Sequence, residues 1–277
     1  MTKQATIRAR SWLFTPATRA ERFAKADQAG ADVAILDLED AVAPGDKARA
    51  RTTALDYLAR NRSDHASHAL RINGLDTRAG ISDLEALLGS SAAPDFLVLP
   101  KTETVGHLRI LERLLIATGK VTRLIGLIET AHGLAAIATA SPRLVGLMFG
   151  AADMAADLSA EPSWAALSGP RGRVVAACAL AGVLAIDAPF FNIHDEGGLK
   201  QETAAAVALG FRAKAAIHPA QIGAINAALT PTAREVEEAR SILAENAKCV
   251  GTIGGKMVDE AIARKARRVL AEAGLDA

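Results

Sequence analysis

Short apolar segments rich in Val, Ile and Leu alternate with longer, alanine-rich amphipathic segments along most of this 277-residue chain. Each apolar segment has the length of a buried strand, and the segments between them are long enough to form helices. Repeated strand–helix units build parallel sheets whose faces are covered by helices. The alternation therefore indicates an α/β fold.

Eight of the apolar segments are predicted to be strands. They are Ser11–Thr15, Val33–Leu38, Ala69–Ile72, Phe96–Leu99, Leu124–Ile128, Leu144–Phe149, Val183–Asp187 and Ala215–Ile217. Eight is the number of strands that closes a (β/α)8 TIM barrel of roughly 250 residues. An open, doubly wound sheet is the competing arrangement, and the pattern favours the barrel.

Polar residues follow these predicted strands. They are Thr15, Asp37, Glu39, Asp40, Arg71, Asn73, Lys101, Glu129, Asp153 and His218. In a barrel they would gather at the C-terminal face, where such enzymes carry their active sites. Glu129 and Asp153 are the first candidates for a reaction centre, because carboxylates at rigid strand ends are typical ligands of divalent metals. The alternative is that strand ends are simply where a chain becomes polar.

The composition argues against several classes of partner. The 32 Lys and Arg residues nearly balance the 31 Asp and Glu residues and are interspersed with them, which predicts neither nucleic acid nor an anionic membrane as a partner. No apolar run approaches the roughly 18 residues of a membrane helix, and the first ten residues lack a signal core. The two cysteines, Cys178 and Cys249, fit no metal or redox motif. We expect a cytoplasmic protein that binds a small molecule.

The pattern changes after His218 and predicts two domains, a barrel over residues 1–230 and a C-terminal helical arm over residues 231–277. Thr232–Ala247 is predicted to be a helix whose first turn resembles a capping box formed by Thr232 and Glu235. A glycine-bearing loop, Gly251–Lys256, is expected next. A last helix over Val258–Ala273 would end at Gly274. The arm is long enough to cover the barrel of its own or a neighbouring subunit.

Short segments spread over nearly the whole chain resemble the citrate lyase β-subunit-like branch of the HpcH/HpaI aldolase family, which includes malyl-CoA and citramalyl-CoA lyases. The segments that carry this resemblance are Arg10–Pro16, Asp37–Val42, Leu70–Thr77, Leu99–Lys101, Ile128–Thr130, Gly150–Asp153, Ile217–Ile222 and Gly255–Asp259. The resemblance implies a TIM barrel, a divalent cation and an acyl-thioester substrate.

The resemblance also implies roles for four residues. Glu129 and Asp153 would bind Mg²⁺, with Mn²⁺ as an alternative. Arg71 corresponds to the family's active-site arginine and would stabilise an enolate oxygen. Asp259 would reach the active site of an adjacent subunit and act there as acid–base, which requires a homo-oligomer, a trimer or a dimer of trimers. The alternative for Asp259 is that it only caps the last helix.

Further residues are expected to support these four. Glu39 would hold a metal-bound water, Asp37 and Asp40 would pair with Arg or Lys, and Lys101 would orient Glu39 or the metal carboxylates rather than form a Schiff base. Thr15, Pro16 and Ala17 would line the path of the thioester. Phe190 and Phe191 would narrow the acyl pocket or its entrance. The segment Ala155–Arg171 is interpreted as a lid, with a plain surface loop as the alternative.

The implied reaction is a Mg²⁺-dependent, reversible cleavage of a 3-hydroxy-carboxyacyl-CoA of the malyl-CoA or citramalyl-CoA type to acetyl-CoA and a 2-oxoacid. Three alternatives stay open. The chain could be the β subunit of a citrate lyase complex acting on a citryl thioester held by a carrier protein, or a malyl-CoA thioesterase. The least favoured alternative is a non-catalytic ligand-binding subunit.

Overall fold

The computed structural model describes residues 9–60, 63–136, 141–246, 251–253 and 256–275. It divides the chain into two compact units, Met1–Asn226 and Ala227–Ala277. None of the described helices combines the length and the apolar character that a membrane span needs.

Eight parallel strands form a closed barrel in the first unit. They are β1 (Ser11–Pro16), β2 (Val33–Asp37), β3 (Ser67–Arg71), β4 (Phe96–Leu99), β5 (Arg123–Ile128), β6 (Leu144–Phe149), β7 (Leu184–Asp187) and β8 (Ala213–Ala216). Each strand pairs with the next in the sequence, and β8 pairs with β1, so the sheet has no free edge. The predicted TIM barrel and its eight strands are confirmed, and the open sheet is excluded.

Nine helices of the described chain accompany or follow the strands. They are α1 (Phe23–Asp27), α2 (Lys47–Arg60), α3 (Arg78–Gly89), α4 (Val105–Ala117), α5 (Ala131–Ala135), α6 (Ala151–Asp157), α7 (Trp164–Ala181), α8 (Glu196–Leu209) and α9 (Ile222–Leu229). Threonine or serine side chains cap the first turns of α3, α4, α5 and α7. Such caps satisfy backbone N–H groups that have no partner within the helix.

Strand residues alternate between two apolar layers. One set, including Trp12, Ile35, Val98 and Met148, forms the cluster inside the barrel. The other set packs between the strands and the surrounding helices. Because side chains alternate along a strand, Asp37, Arg71 and Glu129 belong to the inner register at the C-terminal ends of β2, β3 and β5.

The segment Ala155–Arg171, interpreted as a lid or a plain surface loop, is largely helical. This segment contains the end of α6, a short connection and the first turns of α7. Arg171 is buried, its Nε lies 2.8 Å from Asp187 Oδ1, and its guanidinium stacks on the rings of Phe149 and Trp164. The segment is therefore mostly helical, and its C-terminal end is anchored by a buried ion pair and two aromatic contacts.

The C-terminal unit contains two helices, α10 (Ala233–Asn246) and α11 (Glu260–Glu272), which pack through Ala239, Ala266 and Leu270. The capping box is present, since Thr232 Oγ1 accepts from the amide of Glu235, and the Glu235 carboxylate accepts from the amide of Thr232. The prediction of a loop over Gly251–Lys256 is wrong at both ends of that segment. There β9 (Gly251–Ile253) and β10 (Lys256–Val258) form an antiparallel pair. Ala247 and Gly255 lie outside the described residues.

Candidate active site

A cavity of about 420 Å³ opens at the C-terminal face of the barrel. Its wall combines charged groups from the ends of β2, β3, β5 and β6 with apolar groups from β1, β6 and the loop after β7. The charged residues are Asp37, Asp40, Arg71, Glu129 and Asp153. Five residues expected at this face from the sequence therefore share one cavity, beside apolar residues that include Phe14, Leu127 and Met148.

Arg71 is fixed on two sides. Its Nε and Nη2 donate to Asp37 Oδ1 and Oδ2 at 2.6 and 2.7 Å, a two-pronged ion pair in which both side chains are buried. The ring of Phe14 lies 4.8 Å from the guanidinium carbon. Burial lowers the pKa of Arg71, but the charge of Asp37 and its hydrogen bonds outweigh burial and raise that pKa above its ordinary value. The cation is therefore permanent and its plane is held in place.

The segment after β2 supplies two further acids beside this guanidinium. Arg71 Nη1 lies 3.3 Å from Asp40 Oδ2 and 2.6 Å from Glu39 Oε2, although the angle at Glu39 is not that of a hydrogen bond. Burial raises the pKa of Glu39 to about 7 against the opposing charge of Arg71. The Lys47 ammonium donates to the carbonyls of Leu38 and Glu39 at 2.8 and 2.6 Å and holds the segment in place.

Glu129 is positioned by the turn after β4. The backbone amide of Lys101 donates to Glu129 Oε1 at 2.7 Å, and the Lys101 ammonium lies 3.3 Å from Glu39 Oε1. Lys101 has φ = +45°, a left-handed conformation that is uncommon for a residue with a side chain. This turn directs the Lys101 N–H at Glu129, while the side chain reaches Glu39. Lys101 therefore contacts Glu39 and one of the two carboxylates expected to bind the metal.

The end of β6 leaves room for Glu129 only because residue 150 is a glycine. A Cβ atom at Gly150 would lie 2.5 Å from Glu129 Cβ and 2.8 Å from Glu129 Oε2. Burial, followed by the charge of Glu39, raises the pKa of Glu129 to about 8. Asp153, in the first turn of α6, is exposed in the cavity and adds to the negative field at Glu129.

The charges of this cluster fit a divalent cation. Five carboxylates, those of Asp37, Glu39, Asp40, Glu129 and Asp153, face three cations, those of Arg71, Lys101 and Lys47. Because burial raises the pKa values of Glu39 and Glu129, a Mg²⁺ ion would favour their charged forms, and one or two carboxylates completed by waters and substrate oxygens suffice to hold it. Within the described residues, no group of three or more Asp, Glu, His or Cys side chains is arranged to hold a metal ion.

Of the three residues expected to line the path of the thioester, Pro16 lines the cavity. Thr15 and Ala17 are buried, and Ala17 packs in the layer between strands and helices. The predicted contacts of all three residues with substrate stay predictions. Asp259 belongs to the C-terminal unit, where its exposed carboxylate accepts from the amide of Ile262 and caps α11. This geometry neither requires nor excludes its predicted role in catalysis.

Sequence reasoning missed two contributors, Lys47 and Phe14. Lys47 acts through backbone carbonyls on a loop eight residues upstream, a contact that leaves no side-chain pattern in the sequence. Phe14 could have been found from strand alternation, because it shares the inner face of β1 with Trp12.

The two adjacent phenylalanines after β7 have different environments. Phe191 lines the cavity and is 58% exposed. The ring of Phe190 packs on Gly198 in the first turn of α8, where an added Cβ atom would lie 2.9 Å from Phe190 Cζ. Of the two rings, Phe191 is therefore the one placed to meet a ligand at the cavity mouth.

Comparison with known proteins adds to this geometry. The model of the HpcH/HpaI aldolase/citrate lyase family matches residues 10–219. The L-malyl-CoA/β-methylmalyl-CoA lyase of Rhodobacter capsulatus is 35% identical over 304 aligned positions, which cover 95% of this chain and 94% of the relative.

Two solved structures share the fold over most of the chain. RipC from Yersinia pestis has a TM-score of 0.74 and 54% identity, covering 83% of this chain and 99% of RipC. CitE from Mycobacterium tuberculosis, in complex with magnesium, acetoacetate and coenzyme A, has a TM-score of 0.80 and 34% identity, covering 97% of this chain and 100% of CitE.

Proposed function

Because the chain belongs to the HpcH/HpaI aldolase/citrate lyase family, we propose that it is a Mg²⁺-dependent lyase that cleaves a 3-hydroxy-carboxyacyl-CoA to acetyl-CoA and a 2-oxoacid. Family membership confirms the expected enzyme class, a carbon–carbon lyase. The substrate that we propose is of the malyl-CoA or citramalyl-CoA type, which yields glyoxylate or pyruvate. A relative that acts on malyl-CoA supports this choice.

The observation that carries the proposal is the meeting of Glu129, Asp153 and Arg71 in one cavity at the C-terminal face. Glu129 and Asp153 would hold Mg²⁺, which when bound supplies a Lewis acid for the substrate's carboxylate and hydroxyl oxygens. The Lys101 amide fixes one Glu129 oxygen and leaves the other for a ligand. The CitE structure with magnesium supports the cation.

Arg71 would stabilise the negative charge that develops on the thioester oxygen. Cleavage of the carbon–carbon bond next to a thioester leaves an enolate, whose oxygen needs donors that are already in position. A guanidinium has five N–H groups, of which three donate to Asp37 and Asp40. The second N–H of Nη2 remains for a substrate oxygen, whereas Nη1 also lies against Glu39, and the contact with Phe14 keeps the plane from turning away.

As the hydroxyl becomes the carbonyl of the 2-oxoacid its proton leaves to solvent, and a proton must reach the enolate carbon to release acetyl-CoA. Asp259 from a neighbouring subunit is the proposed donor, as the family resemblance implies. Its carboxylate is exposed and its backbone is fixed at the start of α11, so it is available to a second chain. The proposal therefore includes a homo-oligomer.

The test is to incubate the protein with Mg²⁺ and (S)-malyl-CoA or (S)-citramalyl-CoA and to measure free 2-oxoacid. We expect cleavage of at least one thioester and a loss of at least about 100-fold in Glu129→Ala. Glu161→Ala, which removes an exposed carboxylate between α6 and α7, is the matched control and should retain full activity. No cleavage of either thioester by the wild-type protein would refute the proposal.

The same assay separates the alternatives. A thioesterase would release malate and free CoA without glyoxylate. A citrate lyase β subunit, which the family name also covers, would leave both CoA thioesters intact and cleave only a citryl thioester on a carrier protein.

A further inference from the structure

The loop after β7 (residues 188–191) bears two of the cavity-lining residues, Pro189 and Phe191. Its backbone is anchored at two carbonyls by side chains that come from other elements. The Lys214 ammonium on β8 donates to the carbonyl of Ala188 at 2.8 Å, and the side-chain Nε2 of Gln221 donates to the carbonyl of Phe190 at 2.7 Å. The two anchors flank Pro189, so this short loop is tied down on both sides of it.

Both anchoring side chains are buried and held by further partners. Lys214 is 1% exposed and forms ion pairs with Asp187 at 2.6 Å and with Glu202 at 2.8 Å. Gln221 is 2% exposed, and its Oε1 accepts from the amides of Ile217 and His218 at 3.0 and 3.3 Å. Since these partners fix the donors, the position of each loop carbonyl is determined by β8 and by the turn that follows it.

A third contact determines which phenylalanine faces the cavity. The Phe190 ring occupies the space left by the missing side chain of Gly198 on α8. With Phe190 held there, the neighbouring Phe191 side chain stands at the cavity mouth, 58% exposed, while the charged residues Arg71 and Glu129 lie buried below it. An apolar ring at the mouth suits the part of a ligand that leaves the cavity, which in an acyl thioester is the thioester arm and not the carboxylate.

We propose that Gln221 is a positioning residue that sets the place of Phe191 against the thioester arm of the substrate through its hydrogen bond to the Phe190 carbonyl. Lys214 holds the loop in the same way through its hydrogen bond to the Ala188 carbonyl. The identification of the ligand part as a thioester arm rests on the proposed function, whereas the anchoring of the loop rests on the hydrogen bonds alone.

Gln221→Glu is the most selective variant. A glutamate keeps the acceptor for the amides of Ile217 and His218, and it replaces the N–H donor to Phe190 with an oxygen that repels the carbonyl. The matched control is Gln201→Glu, the same chemical change on the exposed face of α8. Gln221→Met, which removes both contacts without adding charge, is the second variant in case the glutamate impairs folding.

The first measurement is amide hydrogen exchange over residues 188–195, with thermal unfolding of each variant as a check on folding. We expect faster exchange in Gln221→Glu and Gln221→Met than in the wild-type protein and in Gln201→Glu. Unchanged exchange in folded Gln221 variants would overturn the anchoring. This arm needs no substrate, so its result stands even where the proposed function fails.

The second measurement is a double-mutant cycle on KM for the thioester that the wild-type protein cleaves. Gln221→Glu and Phe191→Ala should each raise KM by about fivefold to tenfold, the size of one lost hydrogen bond or contact, with a smaller change in kcat. The double variant should bind no more weakly than the weaker single variant, because Gln221 acts through Phe191. The affinity for pyruvate with Mg²⁺ should stay unchanged. Additive effects on KM, or a matching loss of pyruvate affinity, would overturn the proposal.

Discussion

At the scale of single residues, the site depends on close approaches that only particular side chains allow. Gly150 is the sharpest case, because a methyl group there would overlap Glu129 at both Cβ and Oε2. We predict that Gly150→Ala displaces the Glu129 carboxylate and weakens Mg²⁺ binding by about 10-fold to 100-fold, the effect typical of disturbed ligand support. Calorimetric titration with Mg²⁺ measures this directly.

The control for this prediction is Gly169→Ala in α7, where an added Cβ has no neighbour within 4 Å. That variant should bind Mg²⁺ as the wild-type protein does. Equal affinity in Gly150→Ala would mean that Glu129 does not hold the cation.

Arg71 allows a second prediction, because its planar fork matches Asp37 and its face contacts Phe14. Lysine keeps the charge but offers one point donor and no plane. We expect Arg71→Lys to lower kcat by about 100-fold to 1000-fold, as the loss of an oxyanion donor does, while Mg²⁺ affinity changes little. Steady-state kinetics beside the Mg²⁺ titration checks both parts, and a variant with nearly normal kcat would exclude the enolate role.

The residues that sequence predicted best are those fixed by strand register. Glu129, Arg71 and Asp37 follow or end strands whose period places them inside the barrel, and the motif resemblance supplied the roles that we propose for them. Contacts that depend on backbone geometry were beyond the sequence. Turn conformation is not encoded in the hydrophobic period of a sequence. Turns set the left-handed backbone of Lys101, the hydrogen bonds from Lys47 to two carbonyls, and the opposite orientations of Phe190 and Phe191.

At the scale of elements, the strands could be predicted to within two residues at either end, whereas the helical character of segment 155–171 could not. Segment 155–171 has Gly169 and Pro170, which indicated a loop, yet both lie within α7, where Arg171 reaches the buried Asp187. Asp187 in turn pairs with Lys214, so one buried carboxylate joins α7, β7 and β8. Tertiary ion pairing outweighed the local helix-breaking signal.

This network leads to a stability prediction. Asp187→Asn preserves the shape of the side chain but leaves two buried cations without their shared counter-charge, so we expect a loss of about 3–5 kcal/mol in the free energy of unfolding. Asp46→Asn removes the acid of an exposed pair with Arg49 and should change stability by less than about 1 kcal/mol. Urea denaturation of both variants compares them, and equal midpoints would show that the buried network does not contribute.

At the scale of the whole molecule, the barrel unit contains Arg71 and the carboxylates proposed to bind the metal, whereas the proposed proton donor Asp259 belongs to the C-terminal unit. Asp259 already has a structural task as the cap of α11. Asparagine caps helices as well as aspartate does but cannot transfer a proton at neutral pH. Asp259→Asn therefore separates the two roles, and we predict a folded, Mg²⁺-binding protein with little turnover.

Mixing inactive variants tests whether Glu129 and the proposed proton donor Asp259 act from different chains. Glu129→Ala and Asp259→Asn each damage every site of their own homo-oligomer. If a site uses Glu129 from one subunit and Asp259 from its neighbour, random reassembly of an equal mixture gives about a quarter of the sites both intact residues, by the cyclic symmetry expected of such an oligomer. Activity near a quarter of the wild-type value, appearing only after subunits exchange, is the expected outcome. If each chain instead completed its own site, every site in the mixture would still lack one residue and activity would stay at the level of the separate variants.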